Sequence, residues 1–432
     1  MNWRNISLFG FVGLMLIFVG FLQSWSVAFS LINLCLLSSI MALGVNIQWG
    51  YAGLFSVGTM GFVALGGVGA VVTSMPAETE AWQAGGLQVI GALVFAALVI
   101  VGAIQIWKRM APGRRRTVSL ILLLVVGFFI YRYLFDPAVE AIEKVNPAGA
   151  GYLGGLGLPV IFGWIVGGLL AAGAAWLIGK ISLGLRSDYL AIATLGISEI
   201  IIFIMKNEDW LTRGVKNVNG IPRPTAYEVD LQVNPGFLDW ANWLGIDPVT
   251  LSSLYVKASY AILFVIVLAI ILWMSEAALK SPWGRMMRAI RDNEEAAEAM
   301  GKDVTKRHLQ VFVIGSAVCG IAGAMLVSLD GLLTPTAYQP LRYTFLIWVM
   351  VIVGGSGNNW GSVLGGFLIW FLWIEVEPMG LWLMNVITSG MADGSGLKEH
   401  LLESAAHMRL LTMGAILLLV LRFSPRGLIP EK

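Results

Sequence analysis

YVKASYAILFVIVLAIILWM at residues 255–274, EAALKSPWGRMMRAIRDNEEAAEAMGKDVTKRH at 276–308 and LQVFVIGSAVCGIAGAMLVSL at 309–329 follow one another in the chain. The outer two are long and apolar enough to cross a bilayer, which takes about 20 helical residues. The middle one is the most polar stretch of the sequence, too short for a domain and too patterned for a plain linker. The unit to be explained is a pair of membrane spans joined by a structured polar elbow.

Working outward, further apolar runs fall at 7–22, 27–46, 53–74, 87–107, 117–135, 159–180, 188–205 and 408–422. Two shorter runs, 343–354 and 361–376, flank a glycine-rich turn and read either as two short crossings or as one re-entrant pair. These runs far exceed a barrel strand of about 10 residues. The composition agrees: 57% of residues are hydrophobic and 12% charged, against about 25% charged in a soluble domain. Too few charges remain to cover a water-facing surface, which excludes soluble enzymes, nucleic-acid binders and disordered tails. A net charge of +2 implies no polyanionic partner. Cys35 and Cys319 lie in distant apolar runs, so no disulfide framework is indicated. The expected fold is all-α: a polytopic transmembrane helical bundle of about 10–12 membrane segments, with residues 1–432 forming a single membrane domain.

Orientation follows from the short basic loops. Lys108, Arg109 and Arg114–Arg116 form one, Lys180 and Arg186 a second, and Lys280 to Arg307 a third; Arg422, Arg426 and Lys432 close the chain. Walking the spans in order puts all of these on one side together with Arg4, so both termini are expected in the cytoplasm. The outward segments 136–158, 206–254 and 377–407 are longer and rich in Gly, Pro, Asn and acids. Lys206, Arg213, Lys216 and Arg223 run against the bias, which long loops obey less strictly. Ser26-Val27-Ala28 resembles a signal-peptide cleavage site, but the slight charge before the first run favours an uncleaved helix.

In the elbow, Ser281 before Pro282 is a helix-start signal: a hydroxyl cap, then a proline whose missing N–H costs nothing. Met286, Met287 and Ile290 give one apolar stripe, with Arg285, Arg288 and Arg291 between them. A second short helix is expected from Glu294 to Met300, with Gly301 as its stop. Such helices would present methionines and alternating charge to a docked protein, or lie on the lipid surface held by their arginines.

Glu295-Ala296-Ala297 with Gly301 resembles the EAA loop of ABC-transporter permeases, and the surrounding block, 281–325, is similar to branched-chain amino-acid ABC permeases of the LivM type. Further blocks resemble the same family in the same order: 42–46 continuing through 50–56, 188–195 followed by Glu199, Gly354-Gly355-Ser356-Gly357 then Trp360-Gly361, and 424–428. The Ile-x-Leu-Pro ending of other importers is absent, as it is from the Liv branch. Ser362 stands where the family often has Pro, which would leave that helix start less fixed. Segments 75–158 and 206–254 carry no matching block.

The resemblance implies a permease subunit of an ABC importer in the cell inner membrane. It would move branched-chain or related amino acids delivered by an external solute-binding protein. It would pair with a homologous second permease and be driven by two ATPase subunits. The coupling residues it implies are Ser281, Pro282, Trp283, Gly284, Arg285, Glu294, Glu295, Ala296, Ala297 and Gly301 in the cytoplasmic loop 276–308. No G-x4-G-K-[ST] motif exists, and Gly179-Lys180-Ile181 fails at the hydroxyl, so ATP-Mg belongs to the partners and this chain is expected to bind no cofactor. His308, His400 and His407 have no metal spacing. Urea or short amides are the alternative cargo; an ATP-independent secondary transporter would show intramembrane charge pairs and inverted repeats, which are not evident.

Candidates for the substrate path are Glu199, ionisable within an apolar run, with Asn46, Gly58, Gly354 and Gly357. Glu199 reads more readily as a structural pairing or a helix-end position near the interface, and Asn33 and Asn46 as bonds across a helix interface. Glycines spaced by eight (50, 58, 66 and 53, 61, 69) and the pairs Gly163/Gly167 and Gly361/Gly365 read as close helix packing. A broken helix lining a cavity is the other reading of 50–70.

Overall fold

The computed structural model describes residues 3–147, 149, 151–391 and 395–431; Lys432, assigned above to the last basic cluster, lies outside them. The apolar runs form α1 (Trp3–Leu22), α2 (Trp25–Ala52), α3 (Thr59–Ser74), α4 (Leu87–Arg109), α5 (Arg114–Lys144), α6 (Val160–Ser182) and α7 (Ser187–Asn207). Then come α8 (Pro248–Lys280), the elbow helices α9 (Pro282–Asp292) and α10 (Glu294–Ala299), and α11 (Val304–Asp330), α12 (Pro340–Gly354), α13 (Asn359–Ile387) and α14 (Met408–Phe423). Among the described residues nine helices are long and apolar enough to cross a membrane, or ten if Gly396–Ser404 and α14, bent by 55°, form one span. α3 and α12 are shorter apolar helices. The expected all-α polytopic bundle is the fold observed.

The 343–376 region is a helical hairpin. Gly354 abuts Gly361, and Gly365 abuts the Met350 carbonyl, so α12 and α13 run antiparallel from the turn at 355–358. At 15 residues, α12 is only about 22 Å long. It can be short because Leu346–Val351 are all buried, so protein rather than lipid surrounds it.

α2 is the central pillar. It runs parallel to α8, where Asn33 Nδ2 donates to the Lys257 carbonyl at 3.0 Å and the Tyr51 hydroxyl to the Ser275 carbonyl at 3.4 Å. It runs antiparallel to α11, where Gln48 Nε2 donates to Ser316 Oγ at 3.0 Å, and to α13, where Ser39 Oγ donates to the Val363 carbonyl at 3.1 Å. These registers gather residues 46–58, 275–316 and 354–361 at one end of the bundle, called here the basic face.

Glycine sets the spacing beside the pillar. A Cβ on Gly66 would overlap the Gly320 carbonyl, one on Gly323 the Val63 carbonyl, and one on Gly167 would lie 2.6 Å from the Gly66 carbonyl. α3, α6 and α11 therefore touch backbone to backbone, where dispersion rather than the hydrophobic effect favours association in lipid. By contrast, α4 and α5 leave most of their apolar side chains exposed; they pack on each other where Ala138 meets Gly85, just ahead of α4, and join the rest near the opposite face through Phe135 against Trp210. The pair Val218–Asn219 (β1) and Leu332–Leu333 (β2) forms an antiparallel two-residue ladder that fastens the 206–254 segment to the end of α11.

Candidate functional site

The elbow folds as its residues dictate. Ser281 Oγ accepts from the Gly284 N–H at 3.3 Å with Pro282 in the first turn of α9, and Asn293 Oδ1 accepts from the Ala296 N–H at 2.9 Å to start α10. Gly301 has φ +77°, a left-handed conformation that carries a penalty for any residue with a Cβ. Gly284 is required for a different reason: a Cβ there would lie 2.5 Å from the Ala278 carbonyl and overlap that of Leu279. Trp283 Nε1 donates to Gln310 Oε1 at 3.4 Å and Arg307 Nη1 to the same oxygen at 3.0 Å, which ties α9 to the start of α11. Arg285 reaches back to the Lys280 carbonyl at 3.3 Å.

One expectation for the elbow is overturned. Met287 and Ile290 are buried and Met286 packs on the same core, so the stripe faces the bundle and not a docking protein. An amphipathic helix buries its apolar face wherever a core lies within reach. The outward surface consists instead of Arg285, Asp292, Glu294, Glu295, Ala296, Glu298 and Met300, with Ala297 turned inward.

α9 ends against the gap between α2 and α3. Gly53 closes α2 with φ +69°, and Arg291 Nη1 donates to the Gly50 carbonyl while pairing with Glu431 at 2.9 Å. Within the gap, Val57 N donates to Thr194 Oγ1 at 3.0 Å and Trp348 Nε1 to the Ser56 carbonyl at 3.0 Å. The interrupted backbone is thus satisfied by α7 and α12, as a break at a membrane protein's interior requires.

Behind Arg291 lies a buried polar network. Asn46 Oδ1 accepts from the Gly357 N–H at 2.8 Å, and Asn46 Nδ2 donates to Asn359 Oδ1 at 3.1 Å. The Tyr51 hydroxyl also donates to Asn359 Oδ1, and Asn359 Nδ2 donates to Glu276 Oε1 at 3.0 Å. A Cβ on Gly50 would lie 2.5 Å from the Gly357 nitrogen. The end of α8, the end of α2, the glycine turn and the elbow are therefore one connected body. The Asn358 side chain accepts from the Trp360 and Gly361 N–H groups, so the start of α13 is fixed although Ser362 replaces the family's proline. Beside the elbow, Arg285, Arg288, Arg291 and Arg426 line a cleft of about 800 Å³ with Asp292 and Glu431.

The sequence-selected path residues do not share a cavity. Asn46, Gly354 and Gly357 sit in the packed basic-face interior, and Gly58 lies in the gap, where a Cβ would meet the Thr194 carbonyl at 2.7 Å. Glu199 is on the outside of the bundle, on a stripe of α7 with the exposed Tyr189, Ile192 and Phe203, while Thr194 and Ser198 face inward. Among the described residues no group of three or more His, Cys, Asp or Glu is placed to hold a metal ion.

The family model described as branched-chain amino acid transport system / permease component matches residues 147–421. The chain belongs to this family. The high-affinity branched-chain amino acid transport system permease protein LivM of Salmonella typhimurium is 26% identical over 268 residues, covering 61% of this chain and 56% of the relative. LivM of Escherichia coli is likewise 26% identical, over 270 residues, with the same two coverages. The probable branched-chain amino acid transport permease protein LivM of Methanocaldococcus jannaschii is 26% identical over 275 residues, 64% of this chain and 67% of the relative. The match to the two bacterial relatives thus spans little more than half of their length. No solved structure matches the chain.

In this permease component, reading the sequence missed Gln48, Glu276, Asn359, Glu375 and Glu431. Glu375 is buried in α13 and accepts from Gln23 Nε2 at 2.8 Å. The usable signal for Gln48, Asn359 and Glu375 was an acid or amide inside or beside an apolar run, the criterion applied to Glu199, Asn33 and Asn46; Glu276 and Glu431 lie in polar flanks that gave no such signal. The 42–56 block lies outside the family match, yet the structure seats it directly under the elbow.

Proposed function

We propose that the chain is the membrane-spanning subunit of an ABC importer for branched-chain or related amino acids, with the elbow 276–308 as the element that a partner ATPase moves. The observation that carries this reading is the continuous connection from the exposed acidic face of α10 through α9 and Arg291 to Gly50, Gly357 and Asn359. A push on α10 is delivered to the ends of α2, α8 and α13 together, because packed and hydrogen-bonded elements shift between discrete arrangements as a unit rather than deforming continuously. The arginine-lined cleft beside α9 suits an acidic partner surface, since buried or partly buried guanidinium groups select carboxylates. In this reading the basic face is cytoplasmic, ATP-Mg stays in the ATPases, and a solute-binding protein delivers cargo at the opposite face.

A second permease chain covers the exposed stripe of α7. A charged side chain at the centre of a lipid-facing helix costs about 2.5–3.5 kcal/mol, so Glu199 is better accommodated against a protein partner or a wet path than against lipid. The test is purification through a tag on this chain. Co-purification of a nucleotide-hydrolysing subunit and a homologous permease, with ATP-dependent leucine uptake on reconstitution, is expected; leucine uptake that proceeds without ATP would overturn the reading.

A further inference from the structure

Two cavities meet near the opposite face, beyond the elbow's network. One, of about 320 Å³, is lined by Leu34, Met41, Met60, Ile347 and Tyr338, with Asp330 at its rim. The other, of about 260 Å³, is lined by Asn33, Arg223, Glu228, Lys257, Tyr260 and the same Asp330. They share Leu34 and Asp330 as walls, so an apolar chamber adjoins a charged one. Together they are of the size that holds small ligands, about 300–1,000 Å³.

The fold builds this arrangement from segments far apart in sequence. Gly331 closes α11 with φ +68°, and its carbonyl accepts from the Ile221 N–H at 3.1 Å next to the β1–β2 ladder. That clamp draws the 206–254 segment over the end of α11 and sets Arg223 and Glu228, themselves paired at 2.8 Å, above Asp330. Lys257 Nζ donates to Ser26 Oγ at 2.6 Å. Asp330, at the exposed end of α11, has neither an ion pair nor a hydrogen bond among the described residues, so its carboxylate is open to a ligand from solvent; the Oδ1 of the fully buried Asn33 has no donor. A buried amide oxygen is ordinarily satisfied. Tyr338 faces the apolar chamber as a neutral hydroxyl, because burial and, secondarily, the Asp330 charge raise its pKa.

We propose that the two cavities bind an aliphatic α-amino acid as its zwitterion: Asp330 and Asn33 hold the ammonium, Arg223 and Lys257 the carboxylate, and Leu34, Met41, Met60 and Ile347 the side chain. This rests on the permease reading and gives the solute class named there a site within this chain. Charges of both signs beside an apolar chamber match a ligand that is charged at one end and branched hydrocarbon at the other. Urea, amides and sugars carry no charge that would use them.

The test uses the full-length chain, purified from its membrane with whatever subunits accompany it and placed in nanodiscs. [³H]Leucine binding is read for the parent, Asp330→Asn and Ala337→Trp, the last at the exposed edge of the apolar chamber. Both variants are expected to weaken binding about tenfold or more, the scale of a lost charge-assisted contact, with thermal unfolding unchanged. Leucinol and 4-methylvalerate, each lacking one charge, should compete at least about tenfold more weakly than leucine, and urea not at all. Parent-like binding by both variants, no binding by the parent, or competition by urea equal to that by leucine overturns the site. ATP-driven leucine uptake on the same preparations separates the two claims. Uptake by both variants at the parental rate refutes the site and leaves the permease reading; intact binding with ATP-independent uptake refutes the permease reading and leaves the site.

Discussion

Replacing Arg291 with Ala should uncouple the elbow from the membrane body. The guanidinium makes a charge-assisted bond to the Gly50 carbonyl and an ion pair with Glu431 at 2.9 Å, with about a quarter of each side chain exposed (24% and 27%). Hydrogen bonds to charged groups contribute roughly 1.5–3 kcal/mol. Partial exposure and the adjacent Asp292 place the two contacts together within that one range. The equilibrium between docked and undocked α9 should therefore move about ten- to hundredfold toward undocked. Both contacts come from Nη1, so Arg291→Lys should recover part of this and fall short because one ammonium cannot also supply the Nε that pairs with Asp292 at 3.2 Å. The assay is the ratio of leucine taken up to ATP hydrolysed in proteoliposomes holding the assembled transporter. ATP hydrolysis should persist while the ratio falls at least several-fold, with thermal unfolding of the chain little changed. An unaltered ratio in Arg291→Ala would refute the reasoning that this contact carries the stroke.

Three further outcomes follow from the same geometry. Gly284→Ala must push α9 off the end of α8, because the new Cβ would overlap backbone carbonyls; overpacking of this kind costs about 1–3 kcal/mol, and limited proteolysis within 276–308 should accelerate. Gly301→Ala meets no neighbouring atom, so only the left-handed backbone penalty of about 1–2 kcal/mol applies, and hydrogen exchange should rise in α10 while α11 stays protected. Gly323→Ala would drive a Cβ into the Val63 carbonyl and should lower the thermal midpoint in detergent more than the exposed Gly173→Ala, whose Cβ meets nothing within 4 Å.

The helices were legible because an apolar run of membrane length has only one stable backbone in lipid, and each such run formed a helix except at the start of 53–74, where residues 53–58 leave the helix and are satisfied by α7 and α12. The elbow was equally readable: Ser281, Pro282, Asn293 and Gly301 are local signals whose physics lies within a few residues. What could not be read was direction. The stripe of Met287 and Ile290 looks the same whether it faces a partner or its own bundle, and only the packing against α2 and α8 decided. Glu199 likewise announced an unusual charge but not which side of α7 it occupies. The opposite-face cavities depend on Asn33, Arg223, Lys257 and Asp330 converging through a two-residue ladder, and no periodicity records such long-range pairing.

The central claim is that α9 and α10 receive motion from a separate nucleotide-driven subunit on the cytoplasmic side. A single cysteine at Glu298, exposed on α10, tests it in intact cells and in inverted membrane vesicles. Cys35 and Cys319 are buried and are replaced by Ser to clear the background. The account predicts labelling by a membrane-impermeant maleimide only in inverted vesicles, and a cross-link to a nucleotide-binding subunit whose yield changes when ATP is added. Labelling from the outside of intact cells, or a cross-link yield indifferent to nucleotide, would contradict it.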